Sequence, residues 1–447
     1  MAQVKTANPK RVFLVVWLSQ FVSALGTGLI DFALGVFVYQ RTGSATQFAL
    51  VLVFAMVPAI LLSPFSGALA DRWDRRGMML VSEAACGVVI LALTLLQHGH
   101  GLEVWHVYVA VVLLAVGGAF RDPAYYASVS QMVPKRQLGR ASGLVQTAEN
   151  IGMVAPPLIA GFLMAAVGVS GVLLIDLISY TVGILALLVV VFPPVERPED
   201  ADSAKPTLWA DMAAGWAYMM RHRGFLHLFL FGSFISFSIG LTQIVVTPLL
   251  LSFTSAAVLG ATFSAGGFGM FLGGAVMAAW GGPKNKVAGV LLFGLAQALC
   301  LFLVGLRPNP VVIGAGLFGC LFSIQFVRGC TAAVIRTHVP DAMQARVFAL
   351  NRFVAWSTLP LAYLVAGPLV KVFNPLLEPS GSLADSVGKI LAVGSGRGIG
   401  LLLIVLGGAF LLVVLGNYAN PRLRNIEAEM TAQASERTAL EETGARG

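Results

Sequence analysis

Residues 67–76 read Gly67-Ala68-Leu69-Ala70-Asp71-Arg72-Trp73-Asp74-Arg75-Arg76 and carry five charged side chains. They join two strongly apolar stretches, residues 45–70 and 77–97. A charge cluster of this density cannot lie in hydrocarbon, where unsatisfied polar groups are costly. The segment is therefore predicted to form a tight turn on the water side of a membrane.

The composition excludes a soluble globule. The chain has 447 residues, is 57% hydrophobic and 11% charged, and has a mean hydropathy of +0.84, whereas soluble domains carry about 25% charged residues. The net charge of +8 comes from basic loops, so we predict no nucleic-acid partner. The four cysteines lie in apolar segments without paired spacing, which indicates neither a disulfide framework nor a metal site. No nucleophile–base set is visible, so we predict no enzyme activity and no cofactor.

Twelve segments are long enough to span a bilayer, which requires about 20 apolar residues. They are residues 12–39, 45–70, 77–97, 104–127, 140–167, 170–192, 224–252, 257–281, 287–306, 310–335, 345–373 and 397–418. Placing the N-terminus inside puts most of the 29 Lys and Arg residues in cytoplasmic segments, as the positive-inside rule requires. We therefore expect both termini to be cytoplasmic.

A weak internal repeat divides the chain into two halves. Val133-Pro134, Gly139-Arg140 and Ala160-Gly161 recur as Val339-Pro340, Ala345-Arg346 and Ala366-Gly367, as expected for parallel repeats. The predicted organisation is a six-helix bundle at 1–192, a linker with an amphipathic helix at 193–223, a second six-helix bundle at 224–424 and a polar tail at 425–447. The fold class is all-α membrane protein.

The opening segment resembles the signature loop of the major facilitator superfamily, Gly-x-x-x-Asp-Arg-x-x-Arg-Arg. Leu25–Gly28, Val38–Ser44 and Leu138–Ala141 are similar to a bacterial exporter branch that contains macrolide efflux proteins and the enterobactin exporter. The resemblance implies twelve transmembrane helices in two six-helix bundles, a cavity between the bundles, and a multi-pass location in the bacterial cytoplasmic (inner) membrane.

The resemblance also implies a cytoplasmic gate formed by the loop itself. Its members are Gly67, Asp71, Arg72, Arg75 and Arg76, whose arginines are expected to pair with nearby acids. The matching loop of the second half, Gly273–Lys286, lacks the Asp-Arg pair. The gate is therefore expected on one half only.

The first predicted span carries a polar line. Gln20, Thr27 and Asp31 are spaced by seven and four residues, which keeps them within about 40° on a helix. An unpaired carboxylate in lipid is costly, so Asp31 is either a proton or substrate site or a structural acid bonded to a neighbouring helix. Glu149 in the fifth span is the second candidate for proton coupling.

The fifth span also resembles the antiporter motif of superfamily exporters, Gly-x-x-x-Gly-Pro-x-x-x-Gly. Gly152, Pro157 and Gly161 match this pattern, and Pro156 replaces the middle glycine. Proline bends a helix and glycine admits a second backbone. The motif implies export.

Further polar residues are candidates for the wall of the substrate cavity. With those of the first span they are Gln20, Thr27, Arg121, Tyr125, Gln146, Asn150, Ser236, Gln243, Thr247, Gln325 and Arg328. Two alternatives stay open: Asp122 could simply neutralise Arg121, and the stripe at 236–247 could serve helix packing. Gly266, Gly269 and Gly273 are interpreted as a close-packing face.

Taken with the resemblance, these features predict a monomeric proton-coupled antiporter that works by alternating access. Its small-molecule substrate would be amphipathic: a drug, a siderophore, or a peptide or polyketide product. Protons and membrane lipids are its other partners. The alternatives are a lipid or lysolipid translocase and a non-transporting membrane receptor or assembly subunit.

Overall fold

A computed structural model of the chain describes residues 9–99, 101–133, 138–192, 216–217, 219–221, 223–339, 341–394 and 396–419. These residues form long helices joined by short connections. The helices are α1 (Pro9–Thr42), α2 (Ala45–Arg72), α3 (Arg75–Gly99), α4 (Val104–Met132), α5 (Leu138–Val189), α6 (Arg223–Leu251), α7 (Ala256–Trp280), α8 (Lys286–Leu306), α9 (Pro310–His338), α10 (Asp341–Phe373), α11 (Gly388–Leu391) and α12 (Arg397–Ala419). A 3₁₀ turn, Asn374–Leu377, follows α10. Most of the predicted amphipathic helix and the whole polar tail lie outside the described residues.

Eleven of the described helices are long and apolar enough to cross a membrane, one fewer than the twelve predicted. The difference arises because α5 contains both the fifth and the sixth predicted span in one element of 52 residues. Its helical backbone is interrupted at Gly168, where φ is 65° and ψ is −171°. Glycine reaches this conformation without a steric cost. It divides α5 into a first arm before Gly168 and a second arm after it, each with the roughly 20 residues that a bilayer requires.

The chain divides into two compact units. Unit 1 comprises Met1–Ala201, Leu250–Ser264 and Ala366–Pro368. Within it, α1 packs along α5, α2 along α4, and α3 along both α4 and α5. Two buried apolar clusters lie between these helices, one around Ile30 and Ile90 and the other around Met79 and Met132. Buried polar side chains near these clusters need hydrogen-bond or ion-pair partners within unit 1, because burial removes them from water.

Unit 2 comprises Asp202–Leu249, Ala265–Val365 and Leu369–Gly447. In this unit α8 packs against α9 and α12. Gly269 and Gly273 of α7 lie directly against the backbone of α9 at Phe318 and Phe322. Glycine permits this approach because it has no Cβ. The prediction that these glycines form a close-packing face is confirmed.

The connection between α10 and α12 is anchored by one arginine. Arg397 is only 4% exposed. Its Nε donates to the Leu391 carbonyl at 2.6 Å, and one Nη donates to the Leu306 carbonyl at 3.1 Å. The guanidinium thus joins the end of α8, the short helix α11 and the start of α12.

Candidate functional site

A buried carboxylate lies at the centre of unit 1. Glu83 of α3 is 0% exposed. Its Oε1 accepts a hydrogen bond from Gln20 Nε2 at 3.1 Å, and both carboxylate oxygens lie 3.2 Å from Ser23 Oγ. Gln20 and Ser23 lie about one turn apart on α1, and α1 packs along α5 in the same unit. Gln20, the first residue of the polar line on α1, therefore forms a hydrogen bond to an acidic residue of α3.

Arg121 of α4 supplies the positive charge beside Glu83. One Nη lies 3.8 Å from Glu83 Oε1, and Nε donates to Asp122 Oδ1 at 3.1 Å. The side chain of Arg121 is 14% exposed and that of Asp122 is 51% exposed. Arg121 thus contacts two carboxylates, one buried and one exposed. The sequence hypothesis of a simple Arg121–Asp122 pair is incomplete because Glu83 also takes part.

The outer part of the polar line has different surroundings. The Thr27 hydroxyl lies 3.3 Å from the hydroxyl of Tyr180 in the second arm of α5. The Asp31 side chain is exposed, and among the described residues it has no hydrogen bond or salt bridge. Gln20 is 7% exposed. The three residues expected to share one face therefore differ in burial, and Gln20 and Thr27 bond to neighbouring helices.

A second buried acid lies close to Thr27. Asp176, in the second arm of α5, is 0% exposed. Its Oδ1 lies 3.0 Å from Ser179 Oγ, and its Oδ2 has no hydrogen-bond partner among the described residues. Gly26 of α1 faces both side chains so closely that a methyl group there would overlap them. Because Gly26 has no side chain, α1 can pack directly over Asp176.

The first arm of α5 carries the second predicted proton carrier. Glu149 is exposed, and its Oε1 accepts a hydrogen bond from the Tyr126 hydroxyl at 2.6 Å. Tyr125 is half-buried and packs against the apolar cluster around Met79 and Met132. Asn150 is half-buried. The side chain of Gln146 lies outside the described side chains.

The proline–glycine motif of α5 makes close helix contacts in unit 1. The Pro156 ring lies directly against Gly28 of α1, and Gly161 lies against the backbone of Ala256 at the start of α7. The Pro157 carbonyl is next to Gly260, and Gly152 lies beside Ala24 of α1. The expectation that the motif admits close packing is confirmed.

The charged loop between α2 and α3 is described only in part. Gly67 and the side chains of Asp71 and Arg72 lie outside the part of the loop whose surroundings are described. Arg75 donates to the Ala127 carbonyl of α4 at 2.8 Å. Arg76 donates to the carbonyls of Leu187 and Leu188 at 2.8 and 2.9 Å. Among the described residues, the bonds of Arg76 go to the end of α5, where we had expected an acidic partner.

The candidates of unit 2 are also distributed between buried and exposed positions. Thr247 is 1% exposed, whereas Gln243 is exposed and its Oε1 accepts a hydrogen bond from Tyr363 at 3.1 Å. Ser236 and Gln325 are half-buried, and Arg328 is exposed. Arg328 forms no salt bridge with an acidic residue among the described residues.

Comparison with known proteins identifies the family. The sequence profile of the Major Facilitator Superfamily matches residues 16–367. This chain belongs to the Major Facilitator Superfamily. Macrolide efflux protein A of Streptococcus pyogenes is 22% identical over 377 residues, which cover 81% of this chain and 90% of that protein. The multidrug efflux pump Tap of Mycobacterium tuberculosis is 25% identical over 391 residues, which cover 82% of this chain and 88% of that protein.

A solved structure with the same fold supports the assignment. A bacterial homologue of the human lysosomal transporter Spinster superposes with a TM-score of 0.69 at 16% identity, over 96% of this chain and 98% of that chain. The family profile and the efflux relatives show that the protein is a Major Facilitator Superfamily transporter, not an enzyme, and a multi-pass protein of the bacterial inner membrane. Its efflux relatives support a role in exporting small molecules.

The sequence analysis of this superfamily member missed Glu83 and Asp176. Each is an acid within an apolar segment, and an ionisable residue in a membrane span is by default a candidate functional residue. That signal was present in the sequence. Neither residue belongs to a polar line of its helix or to a family motif.

Proposed function

We propose that this transporter is a proton-coupled antiporter that exports an amphipathic small molecule by alternating access. One observation carries the proposal. Away from the helix ends, the described spans of unit 1 contain five carboxylates, and Arg121 is the one cation among them. The five acids are Asp31, Glu83, Asp122, Glu149 and Asp176. Within these described spans the acids outnumber the cation, and acids inside membrane spans are typical of proton-coupled transporters.

Asp31 and Glu149 are the proposed proton carriers. Asp31 has an exposed side chain, and among the described residues it has neither a hydrogen bond nor a salt bridge that would hold its charge. Glu149 is exposed, and its Oε1 accepts a hydrogen bond from the neutral hydroxyl of Tyr126. Glu83, by contrast, is enclosed by Gln20, Ser23 and Arg121. Exposed acids exchange protons with water more readily than enclosed ones.

The energetics of export fit this proposal. One proton charge that crosses 100 mV supplies about 2.3 kcal/mol, which sustains a concentration gradient of about fifty-fold at 1.36 kcal/mol per tenfold. The efflux relatives and the antiporter-like motif support export over import. We propose that Gln243 and Arg328, which are exposed polar residues in membrane helices of unit 2, contact the substrate.

The proposal is tested by transport into sealed vesicles that contain the purified protein. A radiolabelled macrolide serves as probe, and an imposed pH gradient is the only source of energy. The wild type is expected to concentrate the probe when the gradient has the right sign. Asp31→Asn combined with Glu149→Gln is expected to abolish this accumulation, because neither amide can carry a proton.

The matched control carries the same two exchanges outside the membrane helices. Asp385→Asn combined with Glu378→Gln changes the connection between α10 and α12 and should leave accumulation unchanged. If the Asp31/Glu149 variant still concentrates the macrolide, these residues are not the proton carriers. If the wild type shows no response to the pH gradient, proton coupling itself is refuted.

A further inference from the structure

Asp176 is buried in a way that an ionised carboxylate does not tolerate. The residue is 0% exposed. Its Oδ1 shares the Ser179 hydroxyl with the Asp176 carbonyl, at 3.0 and 2.8 Å. Its buried Oδ2 has no hydrogen-bond partner among the described residues. A buried ionised carboxylate with one shared hydroxyl donor is strongly disfavoured, whereas a neutral carboxylic acid is not.

The charged groups around Asp176 do not supply the missing partner. Asp31 of α1, Glu83 of α3 and Arg121 of α4 act on it electrostatically. Two of these groups are acids, and Arg121 already contacts Glu83 and Asp122. The titratable neighbours on the helices packed against it are Tyr180, one turn on in α5, and Cys86 of α3. None of these groups is shown bonding to Oδ2 of Asp176.

The second arm of α5 runs from Asp176 to the Glu83 cluster. Tyr180 stands one turn from Asp176, and its hydroxyl lies 3.3 Å from Thr27 Oγ1. Gly183, nearly one turn further along α5, lies directly beside the carboxylate of Glu83. The second arm of α5 therefore passes from one buried acid to the other, with α1 covering both.

We propose that Asp176 is a proton-binding site of this transporter, separate from Asp31 and Glu149, with Tyr180 between it and Gly183, the α5 residue beside Glu83. A hydronium ion transfers its proton to Oδ2: one O–H bond of hydronium breaks, one O–H bond forms on the carboxyl group, and a neutral acid and a water molecule result. Gly26 leaves the space for this acid, since any side chain there would overlap the carboxyl group. Its role in transport rests on the proposed function, but the proton site itself does not.

The test is infrared difference spectroscopy on the purified, reconstituted full-length protein, recorded between alkaline and acidic pH. The wild type is expected to show the carbonyl stretch of a buried, protonated carboxylic acid. Asp176→Asn should remove this band. Asp122→Asn is the matched control, because Asp122 is exposed and bonded to Arg121, and it should leave the band in place. A wild type without the band, or a band that survives Asp176→Asn, overturns the proposal.

A second variant keeps the test decisive if Asp176→Asn fails to fold. Ser179→Ala removes the hydroxyl that donates to Oδ1, so the carbonyl band should shift to higher frequency. A band that Ser179→Ala leaves unshifted does not come from Asp176 and overturns the proposal. The macrolide transport assay is scored separately: absent proton coupling there refutes the proposed function, while the infrared band still decides the protonation of Asp176.

Discussion

At the scale of single residues, the carboxylate of Glu83 depends on three partners from two other helices. Gln20 and Ser23 of α1 donate hydrogen bonds to it, and Arg121 of α4 lies within salt-bridge distance. A buried charge is tolerated when it is paired and hydrogen-bonded, and it is strongly destabilising when one partner is removed. The pairing of Glu83 with Arg121 therefore links α3 to α4 in a way that a double-mutant cycle can measure.

Arg121→Gln is expected to lower the free energy of unfolding by about 3–5 kcal/mol, because it leaves a buried carboxylate without its cation. Adding Glu83→Gln to the same chain should recover a large part of this loss. The measurement is thermal or chemical unfolding, in detergent, of the wild type, the two single variants and the double variant. Asp122→Asn is the control and should cost less than about 1 kcal/mol, since that carboxylate is half-exposed. Strictly additive single losses would show that Glu83 and Arg121 do not interact.

At the scale of elements, glycine and proline decide where helices approach each other. The Pro156 ring fits against Gly28 of α1, and Gly269 and Gly273 bring α7 onto the backbone of α9. Arg397, in contrast, connects helices through a large side chain. Its guanidinium donates hydrogen bonds to carbonyls at the end of α8 and in α11. Helix C-termini leave carbonyls without partners, and a cation there is favourable.

Arg397→Ala is expected to destabilise unit 2, because it leaves the carbonyls of Leu391 and Leu306 without their donor. A buried acceptor that loses its partner costs about 1–3 kcal/mol. The melting temperature of the purified protein reports the loss. Lys389→Ala is the control, since Lys389 is exposed on the same connection, and it should melt like the wild type. Equal melting temperatures for both variants would contradict the anchoring role of Arg397.

At the scale of the whole molecule, the sequence predicted the helices well because hydropathy reports the length of hydrocarbon that a helix crosses. The span predicted at 224–252 is α6 (Arg223–Leu251), and the span at 257–281 is α7 (Ala256–Trp280). The predicted start at 345 was late, since α10 begins at Asp341. Hydropathy does not register polar turns that extend a helix beyond the bilayer.

The buried acid cluster was harder to predict for a physical reason. Glu83 meets Gln20 and Ser23, which are 63 and 60 residues away in the chain. Helical periodicity shows which residues share a face of one helix, but not which helix that face meets. Periodicity predicts one face for Gln20, Thr27 and Asp31, whereas their burial differs and only packing decides that Thr27 meets Tyr180. The same limit applies to Arg76, whose bonds go to α5.

We expect the charged loop at 67–76 to act as a cytoplasmic gate during the transport cycle. We expect Asp71→Asn and Arg72→Ala to slow transport by about tenfold, equivalent to about 1.4 kcal/mol, while insertion and melting temperature stay close to the wild type. Arg76→Ala should instead lower the melting temperature, because its guanidinium holds the Leu187 and Leu188 carbonyls in charge-assisted bonds of about 1.5–3 kcal/mol. Transport rates at matched protein amounts, measured beside melting curves, separate the two effects. Normal transport in both the Asp71 and Arg72 variants would remove the basis for a cytoplasmic gate at this loop.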